Sequence, residues 1–490
     1  MIFLNPGISG ENPVKFGTDG YRGIIAKDFT VEKVVLISQG VSDYINQKKD
    51  IKGSVPKVVF GFDCRFLSDL FAKTAAMTFA SNKILSVISD DFVSSPMVSN
   101  SAVYDSADLG IMITASHNPY IYNGFKIKGP FGGSATMDII NDVEVFVNKT
   151  AAKGFKALQP GLQGQNIEEY FKKADFLKSY KKQIYGLIDS DLFKHINIPI
   201  LIDPMYGSAR KIFPEILDEL KISNYHIIHD DFNPGFGGIN PEPIGKNIEE
   251  AGSYLLKNNL KMAVCVDGDA DRIGVIGEEG NFISSHHIFA IVLYDLIKNR
   301  KIKGRVIKTV TTSSIIERMA LKNNLELVTT PVGFKYIAEE ILKGGVIMGG
   351  EESGGLWTYG NLPERDGILM GLKLLEIMAR EKKTLNEILK EIYDDYGYFV
   401  FLRNDYEIPE GRVKSFKEKL ESSIPLEIEK LNIVKKVTID GYKYILADGS
   451  WIMIRPSGTE AVVRVYGESS SPQKLEMLMA AGKKVIEGEN

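Results

Sequence analysis

Six short apolar runs in this chain each end in a polar loop, and the repetition of that unit constrains the fold more than any other feature. Residues 58–62 lead into Asp63-Cys64-Arg65, and residues 109–113 into Thr114-Ala115-Ser116-His117-Asn118-Pro119. Residues 198–202 lead into Asp203-Pro204-Met205-Tyr206-Gly207, and residues 262–266 into Asp267-Gly268-Asp269-Ala270-Asp271-Arg272. Residues 306–310 lead into Thr311-Thr312-Ser313, and residues 346–348 into Gly349-Gly350-Glu351-Glu352-Ser353-Gly354. Continuous apolar runs of this length, alternating with amphipathic helical stretches, read as buried strands of βα units. They fall into three pairs, each roughly 110 to 140 residues from the last, which predicts three related α/β domains with mixed sheets.

A length of 490 residues fits that number of domains with room for one more. Lys-rich helical stretches at 167–187 and 369–393 lie near the expected joints, so the boundaries are placed at residues 165, 276 and 395. This gives domains over 1–165, 166–276, 277–395 and 396–490. The last reads differently, as a strand, a Lys/Glu-rich helix at 412–423, further strands and a closing helix from Pro472, a small α+β unit.

Composition narrows the partners. With Lys+Arg 59 against Asp+Glu 63 the net charge is −4, so no basic field draws in a nucleic acid backbone. The two cysteines, Cys64 and Cys265, lie far apart outside any CxxC pattern, which implies neither a disulfide framework nor a zinc cluster. The longest apolar run, residues 288–294, is far short of the roughly 20 residues that span a bilayer. The first residues lack a secretory pattern. The expectation is a cytoplasmic protein with no membrane partner.

Asp267, Asp269 and Asp271 carry the strongest chemical signal. An extended segment has period two and aims all three carboxylates to one side, and like charges that close call for a cation. Hard oxygen ligands favour Mg²⁺ or Ca²⁺ over zinc; the alternative is a solvated acidic turn. An EF-hand is excluded because its glycine position holds Arg272. Ser116 beside His117, at the end of a buried strand, is a candidate nucleophile, although adjacent strand residues point apart and only a turn would join the two. An N-cap or Asn-Pro turn explains the same residues. Lys126 becomes an acid or base if desolvated, whereas by itself it reads as a surface lysine. Arg455-Pro456-Ser457-Gly458-Thr459-Glu460, with Arg464 beyond, has the makings of a phosphate cradle or of an ordinary turn. Glu351 and Ser353 offer groups that hold sugar hydroxyls, in a loop that by itself also reads as a common glycine-rich acidic turn.

Taken together and in this order, these motifs resemble the α-D-phosphohexomutase family over nearly the whole chain. TASHNP is similar to its phosphoserine loop, DGDADR to its metal loop, GEESG to its sugar loop and RPSGTE to its phosphate loop; FGTDGYRG is similar to its opening motif. The resemblance implies four domains around a central cleft, with Ser116 phosphorylated at rest and Asp267, Asp269 and Asp271 holding Mg²⁺ against that phosphate. It implies that Arg22 and Arg272 steady the phosphoryl group and that His117 and Lys126 handle protons. Glu351, Ser353 and Lys335 would bind the sugar, and Arg455, Ser457, Gly458, Thr459 and Arg464 the non-reacting phosphate.

The implied activity is that of an isomerase exchanging hexose 1-phosphate and hexose 6-phosphate through a hexose 1,6-bisphosphate, glucose 1,6-bisphosphate for a glucose substrate, which is also the activator. The sugar loop and Gly333-Phe334-Lys335 favour glucose. A phosphomannomutase, or an enzyme with both activities, comes next, then a phosphoglucosamine mutase, which Thr114 argues against. Other classes are a non-catalytic phosphosugar-binding protein and a metal-dependent phosphatase. Two departures stand out: Ala461 replaces the usual proline, and Gly355 stands where many relatives have histidine. The only expected partner is a small phosphosugar, in a monomer or homodimer.

Overall fold

The computed structural model describes residues 14–17, 20–52, 55–153, 167–194, 197–409, 416, 418, 420, 427–428, 431–457 and 462–487. Four sheets organise them. The first runs Tyr21–Ile24, Tyr122–Gly129, Leu109–Ile113, Lys57–Phe62, Leu85–Ser89, Phe171–Ala174, with Gly133–Ser134 paired to Tyr122–Gly129. The second runs Phe282–Ile283, Ile273–Gly277, Met262–Val266, Ile200–Asp203, Tyr225–Ile227, and the third Glu326–Thr330, Arg305–Thr309, Val346–Gly350, Leu356–Thr358. The fourth is antiparallel: Val400–Glu407, Val462–Ser469, Trp451–Pro456, Tyr442–Leu446, Leu431–Val437, Glu427–Ile428. Three mixed-sheet α/β domains and a C-terminal antiparallel-sheet domain are the architecture expected from the sequence.

The three mixed sheets share one device. A buried strand pairs in parallel with one neighbour and is followed in sequence by an antiparallel partner on its other side. The connection between the two carries Ser116 in the first sheet, the three aspartates in the second and Glu351 in the third. Antiparallel neighbours need only a tight connection, so each loop is short and held at both ends by backbone hydrogen bonds.

Two helical stretches differ from expectation. Residues 167–187 are not one helix: Phe171–Ala174 breaks away to pair with Ser86–Ser89 as the edge of the first sheet, and the helix Leu177–Leu187 follows. The stretch 369–393 is two helices, Gly367–Glu381 and Leu385–Tyr396, parted where Lys382 turns left-handed (φ 54) and Thr384 caps the second. The expected helix at 412–423 lies largely outside the described residues. The closing helix is Pro472–Glu487.

One continuous apolar core joins Val59 and Met97 of the first domain to Ile202 and Phe213 of the second and Ile288, Ile316 and Leu369 of the third. Polar groups are also buried between domains. Lys128 Nζ is hydrogen-bonded to Glu364 Oε2, which accepts from Ser99 Oγ at 2.7 Å, and both ion-pair side chains are essentially fully buried. Burying an ion pair gains little over burying apolar groups, but stranding one member is costly. Glu364→Ala is expected to lower unfolding stability by about 3 kcal/mol. The double variant K128M/E364M recovers most of that loss, as read from the urea midpoint.

Candidate active site

The serine loop is built from beneath. The fully buried Arg65 guanidinium donates to the carbonyls of Ser116 (2.5 Å), Asn118 (2.7 Å), Pro119 (2.9 Å) and Tyr122 (3.0 Å), and to the Asp63 carboxylate (3.1 Å). Asp63 also accepts from Thr114 Oγ1 and Ser68 Oγ, and Thr114 Oγ1 in turn accepts the Ser116 amide at 2.8 Å. Thus held, Ser116 adopts φ 54, a left-handed conformation unusual for serine. The turn brings His117 Nδ1 to 3.5 Å from Ser116 Oγ, so the adjacency that a strand would forbid is achieved. Ser116 Oγ donates to Asp267 Oδ2 at 2.8 Å.

The three aspartates converge for a reason other than strand period. Residues 267–271 form a turn, with the Ala270 amide on the Asp267 carbonyl and Ala270 at φ 57. Asp267 Oδ1 accepts the amides of Asp271 and Arg272, both at 2.9 Å, folding the loop around its first carboxylate. A Cβ on Gly268 would lie 2.7 Å from the Ser116 carbonyl oxygen, so only glycine lets the two loops approach. From the first domain, Ser95 Oγ donates to Asp269 Oδ2 at 2.5 Å, and Lys126 Nζ reaches Asp269 Oδ2 at 2.8 Å and Asp271 Oδ2 at 3.1 Å.

One oxygen from each of Asp267, Asp269 and Asp271 lies within 4.8 Å of the others, and all three residues are buried. Asp271 Oδ1 is buried with no hydrogen bond. Burial, then the charges of Asp269 and Asp271, pushes the Asp267 carboxyl well above the usual range. A set of hard, crowded carboxylate oxygens with one left unsatisfied fits an oxygen-preferring divalent cation such as Mg²⁺.

Arg22 Nη1 donates to Asn118 Oδ1 at 2.6 Å on the rim of the serine loop. The Arg272 guanidinium lies 3.8 Å from Glu242 and 3.9 Å from Asp271. The His117 imidazole is held well below its ordinary pKa by burial and then by Arg272, Arg22, Lys126 and Arg65, so it is neutral at pH 7.

Glu351 accepts the Gly333 amide at 2.9 Å, and burial pushes its carboxyl up to about 7 against the lowering influence of Arg365. Ser353 is half-buried on the same loop, and Lys335 Nζ lies 2.7 Å from Met137 Sδ of the first domain.

On the fourth sheet Arg455 and Arg464 are directly opposite each other. Arg455 Nε is 3.0 Å from Asp440 Oδ2, Arg464 Nε donates to Asp405 Oδ2 at 3.4 Å, and the Ser457 amide donates to the Val462 carbonyl. This is a second cluster, apart from the hydrogen bonds joining Ser116 to the aspartates. Gly458, Thr459 and Ala461 lie outside the described residues.

Sequence reasoning missed Arg65, Asp63, Ser95 and Arg365. Asp63-Cys64-Arg65 ends one of the six apolar runs, which was a usable signal; Arg365 had none, because its partners are 94 and 14 residues away.

Models of the phosphoglucomutase/phosphomannomutase domains match in order: the alpha/beta/alpha domain I over residues 13–153, domain II over 176–280, domain III over 284–396 and the C-terminal domain over 416–482. The chain is 30% identical to a phosphoglucosamine mutase of Alkaliphilus oremlandii, over 96% of this chain and 98% of that one. It is 29% identical to a phosphoglucomutase of Komagataeibacter xylinus, over 95% and 89% respectively. A crystal structure from Thermus thermophilus, provisionally described as a phosphomannomutase, superposes with a TM-score of 0.84 at 30% identity, covering 97% of this chain and all of that one. Among the described residues no helix is long and apolar enough to cross a membrane.

Cation binding to the triad relieves the repulsion that raises the Asp267 carboxyl. Because that pKa is raised, protonation competes with the cation, and the competition weakens as pH rises. Mg²⁺ at about 100 times its dissociation constant is expected to add about 2.7 kcal/mol of stability. The rise in Tm, read by calorimetry, shrinks from pH 8 to pH 5 and vanishes in Asp269→Ala.

Proposed function

Because this chain belongs to the α-D-phosphohexomutase family, we propose that it interconverts hexose 1-phosphate and hexose 6-phosphate through a phosphorylated Ser116. The observation that carries the reading is the position of Ser116 Oγ, 2.8 Å from Asp267 Oδ2 and 3.5 Å from His117 Nδ1. A nucleophile-bearing loop is thereby fixed against both a cation site and a neutral base. When bound, Mg²⁺ supplies charge neutralisation at the phosphoryl oxygens.

The transfer breaks the bond between phosphorus and Ser116 Oγ and forms one to the free 6-hydroxyl of a hexose 1-phosphate. Neutral His117 is suited to accept the hydroxyl proton, and the ion-paired Lys126 ammonium to donate one to the departing serine oxygen. The hexose 1,6-bisphosphate then reorients, returns its 1-phosphate to Ser116 and leaves as hexose 6-phosphate. Arg22 and Arg272 flank the serine loop as phosphoryl-binding groups. Glu351, Ser353 and Lys335 face the sugar, while Arg455, Ser457, Gly458, Thr459 and Arg464 take the phosphate that does not react. The enclosed site keeps water from phosphoserine and intermediate alike.

Glucose 1-phosphate is the proposed substrate, on the GEESG loop and Gly333-Phe334-Lys335. Glucosamine 1-phosphate is the second reading, favoured by the name of the relative from A. oremlandii. Purified protein with Mg²⁺ and catalytic hexose 1,6-bisphosphate is expected to isomerise glucose 1-phosphate faster than the mannose and glucosamine analogues, and Ser116→Ala to abolish isomerisation. Steady phosphate release without isomer would identify a phosphatase. Binding without either reaction would identify a phosphosugar-binding protein.

Glu351 adds a pH signature. A carboxyl raised to about 7 is protonated below that value, where one of its oxygens donates instead of accepting a sugar hydroxyl hydrogen bond, and ionised above it, where both accept. KM is expected to fall by about tenfold as pH rises from 6 to 8. Glu351→Gln flattens that profile, which separates it from ionisation of the substrate phosphate.

A further inference from the structure

Arg365 stands two residues before the helix Gly367–Glu381, whose first turn is capped by the Asp366 carboxylate at 2.9 Å from the Leu369 amide. Asp366 also accepts from Tyr180 Oη, and the Arg365 amide donates to Glu364 Oε1, so the backbone at this point is fixed from both sides. The side chain is buried at 4% exposure and crosses from the third domain into the second. Its Nη2 donates to Asp271 Oδ2 at 2.6 Å, its Nη1 lies 3.5 Å from Glu351 Oε2, and its guanidinium stacks 5.3 Å from the Phe334 ring centre. The same Asp271 oxygen receives Lys126 from the first domain. One guanidinium thus touches the cation site and the sugar loop together.

Residue 355 decides whether it can do so. A Cβ there would lie 2.3 Å from Arg365 Cδ and 3.2 Å from Glu351 Oε2. Any side chain at 355 and the observed Arg365 conformation exclude one another, because the clash falls on the middle of the side chain rather than on its flexible end.

We propose that Arg365 is a positioning residue that links sugar recognition to the metal loop, and that glycine at 355 is the feature that admits it. The inference rests on the mutase reading above. Paired with Glu351, the guanidinium holds that carboxylate in place for sugar hydroxyls. Paired with Asp271, it places a permanent positive charge against a cation ligand and opposes cation binding there. The two effects have opposite signs. Removing the charge loosens the sugar and tightens the cation, whereas general damage to the site weakens both.

The test uses full-length, unphosphorylated protein carrying Ser116→Ala, so that no turnover occurs, with calorimetric titration of Mg²⁺ alone and of glucose 1-phosphate alone. Arg365→Gln is expected to weaken glucose 1-phosphate about tenfold and to tighten Mg²⁺ about fivefold. Gly355→Ala shifts both in the same directions by displacing the side chain. Arg365→Lys keeps the charge, leaves Mg²⁺ affinity near that of the parent and restores part of the sugar affinity. Parallel weakening of both ligands, or indifference of both to Arg365→Gln, would overturn the proposal. A parent protein with Arg365 intact that binds no hexose 1-phosphate, the mannose and glucosamine analogues included, overturns the mutase reading and with it this inference. Sugar binding that persists while the Mg²⁺ response fails to reverse overturns the linkage alone.

Discussion

Three carboxylates buried within 4.8 Å of one another are the constraint around which the rest of this structure is arranged. Such a cluster is unfavourable in any low-dielectric setting unless surrounding groups offset it. One domain does not supply the offset alone. Lys126 and Ser95 come from the first domain, Arg365 from the third, and the backbone amides of Asp271 and Arg272 from the loop itself. The domains therefore meet where the charge demands it. The continuous apolar core spanning all three fixes that meeting point, since a displacement that separated Lys126 or Arg365 from the aspartates would also open buried apolar surface.

The serine loop answers a complementary demand. A non-glycine residue such as Ser116 in a left-handed conformation must be over-determined by its surroundings. Arg65 meets this by gathering four loop carbonyls on one planar donor set, with Asp63 balancing its charge underneath. A lysine, with three donors about a single point charge, cannot span those acceptors. The loops that carry Ser116, the three aspartates and Glu351 all join a buried strand to its antiparallel neighbour, so one backbone solution presents three different sets of side chains.

Much of this was legible because it is local. Apolar runs closing on polar loops gave three α/β units, and the spacing of Asp267, Asp269 and Asp271 marked a cation site. The physical reason for their convergence differs from the expected one, however: a turn at Ala270 brings them together, and period-two extension does not. The helix expected over 167–187 missed the strand Phe171–Ala174, because an edge strand with one buried neighbour has little apolar pattern of its own and is specified by its partner Leu85–Ser89. Arg365 was invisible for a related reason. Nothing within its own segment distinguishes it from a surface arginine; its role exists only once Asp271, Glu351 and the missing side chain at 355 are placed around it.

The fourth domain meets the third through a seam that is partly apolar and partly polar. One face of its sheet, with Tyr444, Ile452, Val463 and Val465, packs under the helix Pro472–Glu487. The opposite face carries Lys443, Trp451, Arg455, Arg464 and Glu468 toward the third domain, as the strand register requires. Contact there combines a small apolar patch of Val310, Trp451, Met453 and Tyr466 with cross-domain polar links. Lys443 Nζ donates to the Val310 carbonyl, the Ser314 amide to Glu468 and the Val332 amide to Asp440. Burial lowers the Lys443 ammonium to about 7, so even the best-enclosed of these links is held at a cost. Phe399 and Phe401 add to the seam by packing against His287 and His286 of the third domain, with Phe399 part of the core that the other three domains share. Arg455 and Arg464, opposite each other in the register, lie on the face of the sheet that is turned toward the third domain.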